Sequence, residues 1–231
     1  MKVFSVIPAR GGSKSIPRKN ILKFGGKPLI QYSIEYSLSS ELVNETIVST
    51  DDKEIAELSL LLGAKVPFIR PKNLAQDHTQ DFPVFFHALK ALENIYSSKI
   101  DFIILLRPTS PLRPKGLIEK AIRIISENST CSSVRSVSKT TEHAYRQWTK
   151  KGAFIESILK VKIKENEPYN LPRQKLPEYL FQTGDIEVIR RSTLLDGSIS
   201  GKNVLPIYID SKDVHDIDSY QDLKLAEKNL R

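Results

Sequence analysis

The chain has 231 residues, of which 40% are hydrophobic and 27% charged, enough to fill one core and too apolar for a disordered tail. Lys and Arg number 35 against 27 Asp and Glu, a formal charge of +8 spread along the chain without a block, which points to a small phosphorylated partner and away from nucleic acid. The single cysteine, Cys131, excludes an internal disulfide framework and a cysteine-built metal site, and no apolar run reaches the ~20 residues of a membrane span, so a cytoplasmic setting with no membrane partner is expected.

Val3 to Ile7 is a short apolar run ending at Pro8 and reads as a buried first strand rather than a signal peptide. A polar, glycine-containing loop follows from Ala9 to Asn20. Pro28 then opens a helical pattern through Leu29, Ile30, Ser33, Ile34 and Leu38. Thr46 to Ser49 reads as a second strand. Asp51 with Glu54 fits a capping box for a helix through Ile55, Leu58 and Leu62, stopped by Gly63, and Val66 to Ile69 reads as a third strand. A helix spans 84–96, with Phe85, Ala88, Leu89 and Leu92 on one face. Phe102 to Leu106 has the uninterrupted apolar character of a central parallel strand, and Pro114 opens a helix through Ile118, Ile122 and Ile125.

This alternation predicts an α/β fold: a doubly wound, mostly parallel sheet in one unit over residues 1–231. A ligand crevice is then expected beyond the carboxyl ends of the strands, at the loops after Ile7, Ser49 and Leu106. From about Lys139 to Gly184 the chain turns polar and strand-like, punctuated by Pro168, Pro172 and Pro177. It reads as an excursion, a β-rich arm at about 140–184 able to pair with another subunit. Tyr145 and Trp148 read as packing for that arm. Val204 to Ile209 returns as a strand, and 219–230 closes the chain as a helix.

Three segments carry candidate chemistry. The loop after the first strand holds Arg10, Lys14, Arg18 and Lys19 around Gly11 and Gly12. Glycines let backbone N–H groups approach a polyphosphate and the cations neutralise it, although the spacing is neither that of a Walker loop nor a dinucleotide fingerprint. In His215-Asp216-Ile217-Asp218 an extended backbone turns both carboxylates the same way, which suits magnesium, an ion that takes one or two carboxylates plus substrate phosphates. The competing reading makes Asp218 with Gln221 the capping box of the last helix. The third segment, Arg107-Pro108-Thr109-Ser110-Pro111-Leu112-Arg113, follows the most buried strand. His78, His87, His143 and His215 lack metal-ligand spacing, His87 reads as structural, and no nucleophilic triad can be argued.

Taken together, IPARGGSKSIPRKN, VSTDD, RPTSPLR, LPRQKLPE and DIDSYQDLKLAE, in that order, resemble the acylneuraminate cytidylyltransferases, the CMP-sialic acid synthetases and their relatives for pseudaminic or legionaminic acid. The resemblance implies a Rossmann-like nucleotidyltransferase that moves CMP from CTP to the anomeric hydroxyl of an acidic nine-carbon sugar and releases pyrophosphate. It implies Mg2+ on Asp216 and Asp218, and catalytic roles for these two with Arg10 and Lys19. Nucleotide contacts fall on Ala9, Arg10, Gly11, Gly12, Lys19, Asn20, Arg70 and Asp81. Sugar contacts fall on Arg107, Thr109, Ser110, Arg173 and Gln174, with Arg173 on the sugar carboxylate. The 140–184 arm matches the family's dimerisation segment, so a homodimer is expected. Arg107, where many relatives have glutamine, and the stretch Phe181-Gln182-Thr183-Gly184-Asp185-Ile186-Glu187 depart from the usual pattern. The alternatives are a glycosyltransferase using Asp216 and Asp218 as a D-x-D pair, and a non-catalytic nucleotide-binding module.

Overall fold

The computed structural model describes residues 1–159 and 167–230. Its strands are β1 (Val3–Pro8), β2 (Lys23–Phe24), β3 (Lys27–Pro28), β4 (Glu45–Ser49), β5 (Phe102–Leu105), β6 (Ser133–Lys139), β7 (Trp148–Lys151), β8 (Phe154–Ser157), β9 (Leu180–Arg190) and β10 (Val204–Tyr208). Its helices are α1 (Leu29–Leu38), α2 (Lys53–Leu61), α3 (Asp81–Ile95), α4 (Leu117–Glu127), α5 (Arg191–Leu195) and α6 (Tyr220–Glu227).

Six strands form the central sheet in the order β10-β6-β9-β5-β1-β4. β1 pairs in parallel with β4 and β5, and β10 in parallel with β6, while β9 runs antiparallel between β5 and β6. All four residues of β5 are buried, as the unbroken apolar run requires. Its side chains divide between two cores: Phe102 and Ile104 pack with Ile30, Ile34, Ile55, Ile118 and Ile122 of the helices on one face, Ile103 and Leu105 with Phe85, Leu89, Leu92 and Leu194 on the other. The sheet is therefore covered on both faces. A third cluster, Ile16, Phe24, Leu29, Ile217 and Leu223, fastens α6 and the segment before it to the loop after β1.

Four expectations change. Val66 to Ile69 forms no strand; only Lys65 bridges Ile47 there, because Pro67 has no N–H to extend a ladder. The α2 cap is Asp52, which accepts from Ile55 N at 3.0 Å, and not Asp51. The α6 capping box is Ser219 with Asp222, not Asp218 with Gln221, which releases Asp218 from a structural duty. The excursion ends earlier than Gly184, since β9 is back in the main sheet from Leu180. Within that excursion β7 and β8 form an exposed hairpin, the ring of Trp148 lies 4.7 Å from that of Tyr169, and His143 stacks on Tyr179 at 4.7 Å beside buried Tyr145. The arm's residues 160–166 lie outside the described residues. No helix among the described residues is long and apolar enough to cross a membrane.

Candidate active site

β1 sits where the strand order reverses, with β4 on one side and β5 on the other, and parallel sheets open a crevice at that point. A cleft of about 510 Å³ lies there, walled by the loop after β1 (Arg10, Ser13, Lys14, Lys19, Asn20), the loop after β5 (Arg107, Pro108, Thr109), the segment before α3 (Arg70, Gln76, Asp77, Thr79), Asp81 at the start of α3, and Asp218. Of the three expected loops, those after β1 and β5 line the cleft, whereas the loop after Ser49 does not and the segment before α3 takes its place.

Four cations of the cleft, Arg10, Lys14, Lys19 and Arg107, are held by carboxylates of the same chain. Arg10 Nη1 donates to Asp77 Oδ1 at 2.6 Å, and Lys14 Nζ to Asp77 Oδ2 at 2.5 Å. Lys19 Nζ donates to Asp218 Oδ1 at 2.8 Å and to the Ile217 carbonyl at 3.1 Å. Arg107 pairs with Asp81 at the first turn of α3, so the residue implied for the sugar and the residue implied for the nucleotide meet directly. Arg70 is buried, its Nε on Ser49 Oγ at 3.0 Å and its Nη2 on the Ser49 carbonyl; burial brings its guanidinium down to about 10, still charged at neutral pH.

The loop after β1 is shaped from beneath by Asp51 and Asp52. Asp51 Oδ1 accepts from Gly11 N at 3.0 Å, and Asp52 holds Arg18 at 2.5 Å. A side chain at Gly11 would meet Asp52 Oδ2 at 2.6 Å, so glycine is required here by the packing of Asp52. Asn20 Nδ2 donates to the Arg10 carbonyl at 2.9 Å and fixes the other side of the turn. Ala9 is fully buried, and neither it nor Gly11 nor Gly12 lines the cleft, whereas Arg10, Lys19 and Asn20 do.

Asp216 and Asp218 flank Ile217, which is fully buried and whose N–H donates to the Thr109 carbonyl at 2.8 Å. The carboxylates on either side of it are exposed, Asp218 in the wall of the cleft and Asp216 outside that wall. The surrounding protein raises the Asp216 carboxyl and the Asp218 charge adds to it, against a hydrogen bond from Thr109 and the cations Lys19 and Arg107. Two neighbouring carboxylates beside a lysine suit a divalent cation. Among the described residues no three His, Cys, Asp or Glu side chains gather around a metal position. A pair of carboxylates is a donor set that magnesium accepts when phosphates and water complete its shell.

The loop after β5 divides its residues. Arg107 and Thr109 face the cleft, whereas Ser110 is fully buried with its Oγ unpartnered. Arg113 is buried as well: Nε donates to the Asp185 carbonyl at 2.6 Å, Nη1 to Ser33 Oγ at 3.0 Å and Nη2 to the Arg107 carbonyl at 2.5 Å. Opposite this loop β9 bulges, residues 183–186 facing Ser136 alone between the pairs Arg135–Glu187 and Val137–Gln182. The bulge brings Gly184 against Arg107 and Ser110, each 3.5 Å from where a Cβ would stand. Arg173 and Gln174 lie on an exposed 3-10 turn of the arm and do not line the cleft of the single chain. Sequence reasoning missed the wall formed by Gln76, Asp77 and Thr79, whose only local signal is a polar stretch between Pro71 and α3.

A cationic cleft at the switch point of a doubly wound sheet defines a nucleotide-binding α/β protein. The chain belongs to the cytidylyltransferase family, whose model, described as "Cytidylyltransferase", matches residues 4–162. It is 33% identical to a pseudaminic acid cytidylyltransferase of Campylobacter jejuni over 98% of this chain and 95% of the relative. It is 31% identical to a CMP-N,N'-diacetyllegionaminic acid synthase of the same species over 98% and 94%. Among solved structures, a CMP:2-keto-3-deoxy-manno-octonic acid synthetase complexed with CTP superposes with a TM-score of 0.72, covering 100% of this chain and 98% of that one, and shares the fold at 18% identity.

Proposed function

We propose that this protein transfers CMP from CTP to the anomeric hydroxyl of an acidic nine-carbon sugar and releases pyrophosphate. The observation that carries the reading is the cleft where Arg10, Lys14 and Lys19 stand opposite Arg107 and Asp218, in a chain related end to end to enzymes named for such sugars. The anomeric oxygen gains a bond to the α-phosphorus as the bond from that phosphorus to the pyrophosphate oxygen breaks. Arg10 and Lys19 stabilise the charge that collects on the leaving pyrophosphate. Arg70 and Asn20 orient the nucleotide, and Arg107 with Thr109 borders the acceptor. Asp216 and Asp218 would hold magnesium, which would supply Lewis-acid neutralisation of charge on the phosphates. A cytoplasmic setting, where CTP is available, goes with this reading.

Incubation with CTP, magnesium and a panel of acidic nine-carbon sugars tests it: pyrophosphate and a CMP-sugar should appear together. Consumption of a nucleotide sugar without pyrophosphate would favour a D-x-D glycosyltransferase, and CTP binding without turnover a non-catalytic module.

The arm supports a homodimer as part of this proposal. Trp148, Phe154, Ile155 and Ile158 are exposed on or beside the β7–β8 hairpin, with Leu180 and Phe181 exposed where β9 begins. A projecting hairpin with this much apolar surface is expected to be covered by another copy. Sedimentation at micromolar concentration should give twice the 26.2 kDa chain mass; a fully active monomer would contradict it. In a dimer Arg173 is assigned to the sugar carboxylate, since a guanidinium grips a carboxylate with two parallel hydrogen bonds that lysine cannot copy. Arg173→Ala and Arg173→Lys should lower kcat/KM for the sugar by roughly ten- to a hundredfold, with CTP affinity nearly unchanged. Loss of CTP affinity with sugar affinity intact would place Arg173 on the nucleotide side.

A further inference from the structure

Each cation named at the mouth of the cleft is matched by a carboxylate: Lys19 by Asp218, Arg107 by Asp81, and Arg10 and Lys14 together by Asp77. Asp218 is assigned to the metal and Asp81 is implied by the resemblance as a nucleotide contact, whereas Asp77 has neither role. Its two oxygens are shared between two cations, Oδ1 with Arg10 at 2.6 Å and Oδ2 with Lys14 at 2.5 Å, as two oxygens of a phosphate group would be. Lys14 and Arg10 in turn hold the Asp77 carboxyl below the usual carboxylate range, so it stays ionised around neutral pH.

Asp77 also sits on a separable piece of chain. Residues 71–80 are anchored in front by Arg70 N on the Thr50 carbonyl at 2.7 Å and behind by the start of α3. Between these anchors, the described hydrogen bonds of the segment are internal: Leu74 N to the Pro71 carbonyl, Ala75 N to the Lys72 carbonyl, Gln76 Nε2 to the Lys72 carbonyl, Thr79 N to the Gln76 carbonyl. Among the described polar contacts, those that fasten this strap to the far wall of the cleft are the two ion pairs of Asp77.

We propose that Asp77 is an intramolecular stand-in for the polyphosphate, latching the 71–80 strap across the cleft of the free enzyme and yielding Arg10 and Lys14 when a polyphosphate arrives. The proposal rests on the assignment of Arg10 to the phosphates. A carboxylate carries a single charge on two oxygens, and each of these pairs is partly exposed, so it holds the cations weakly. A triphosphate or pyrophosphate brings several charges and displaces it; a monoanion of similar charge does not. The latch thus keeps the two cations together and makes them selective for polyphosphate over simple anions.

The test uses the full-length protein with inorganic pyrophosphate and with orthophosphate, titrated by calorimetry, and amide hydrogen exchange of residues 72–79. Asp77→Asn, which keeps the shape and removes the charge, should bind pyrophosphate about three- to tenfold more tightly than the wild type and gain a larger share of its affinity for orthophosphate. Exchange in 72–79 should accelerate in the wild type when pyrophosphate saturates it, and be fast in Asp77→Asn without ligand. Pyrophosphate affinity that is unchanged or weaker in both Asp77→Asn and Asp77→Ala, while Arg10→Ala binds poorly, overturns the stand-in and leaves the phosphate assignment intact. Unaltered pyrophosphate binding in Arg10→Ala overturns the phosphate assignment and the proposal with it.

Discussion

Asp218→Asn is expected to reduce turnover at least ~100-fold without unfolding the chain, and Asp216→Asn to act similarly. The Asp218 side chain is 72% exposed and, with the α6 cap formed by Ser219 and Asp222, it carries no helix end. Its partner is Lys19 at 2.8 Å, so the substitution removes a charge from the reaction face and leaves the core alone. Removing one charge-stabilising group at a transferring phosphoryl centre commonly costs a few kcal/mol of barrier, hence the size of the expected loss. A second reading is independent of turnover: water-proton relaxation with manganese and CTP should be enhanced by the wild-type protein and less so by either variant. Folded variants with near-normal turnover and undiminished enhancement would remove the metal from these two carboxylates.

The largest expected stability effect lies behind the site, at Arg113. The residue is 8% exposed and its guanidinium donates in three directions, to the Asp185 carbonyl, to Ser33 Oγ and to the Arg107 carbonyl. Burial lowers it to about 10, and burial likewise raises the nearby Asp185 carboxyl to about 6, each group being pushed toward its neutral form and pulled back by the charge of the other. Removing one member of such a buried set costs ~3 kcal/mol or more, so Arg113→Met should lower Tm by roughly 6–12 °C for a chain of this size. Arg113→Lys should also destabilise, because an ammonium cannot copy the planar fork.

The pH dependence has a defined sign. The folded Asp185 pKa of about 6 lies above its ordinary 3.8, so its ionisation removes stability as pH rises from about 4 through 6. Arg113 limits that loss. The deficit of Arg113→Met should therefore be larger at pH 8 than at pH 5 in denaturant titrations; a deficit equal at both, or larger at pH 5, would show that Asp185 and Arg113 are not coupled.

The parts of the fold legible in the sequence are those whose environment is uniform. β1, β4 and β5 are apolar runs because both faces of that half of the sheet are covered by helices, and the loops after them are where such a sheet must open. β9 was not legible as a strand of the same sheet. Its sequence LFQTGDIEVIR carries Asp185 and Glu187, which locally argue for solvent, yet both are buried. Glu187 is accommodated by Arg135, 52 residues away, and the bulge at 183–186 lets the backbone pass Ser136 and reach the loop after β5. Long-range ion pairing of this kind leaves no local trace.

The cleft shows the same division. Sequence by itself marked Asp216 and Asp218 as a pair, because Ile217 is the apolar residue between them, and Ile217 is indeed buried. It also placed Arg10, Lys19 and Asn20 directly after a buried strand, where a ligand is received. It could not separate the two arginines of RPTSPLR, which look alike in a line of residues. Only the tertiary structure sends Arg107 toward Asp81 in the cleft and Arg113 beneath it onto Asp185, Ser33 and Arg107. The reason is that hydrogen-bond acceptors for a buried guanidinium must be gathered in three dimensions, and those for Arg113 come from α1, the loop after β5 and the bulge of β9, brought together only when the sheet closes.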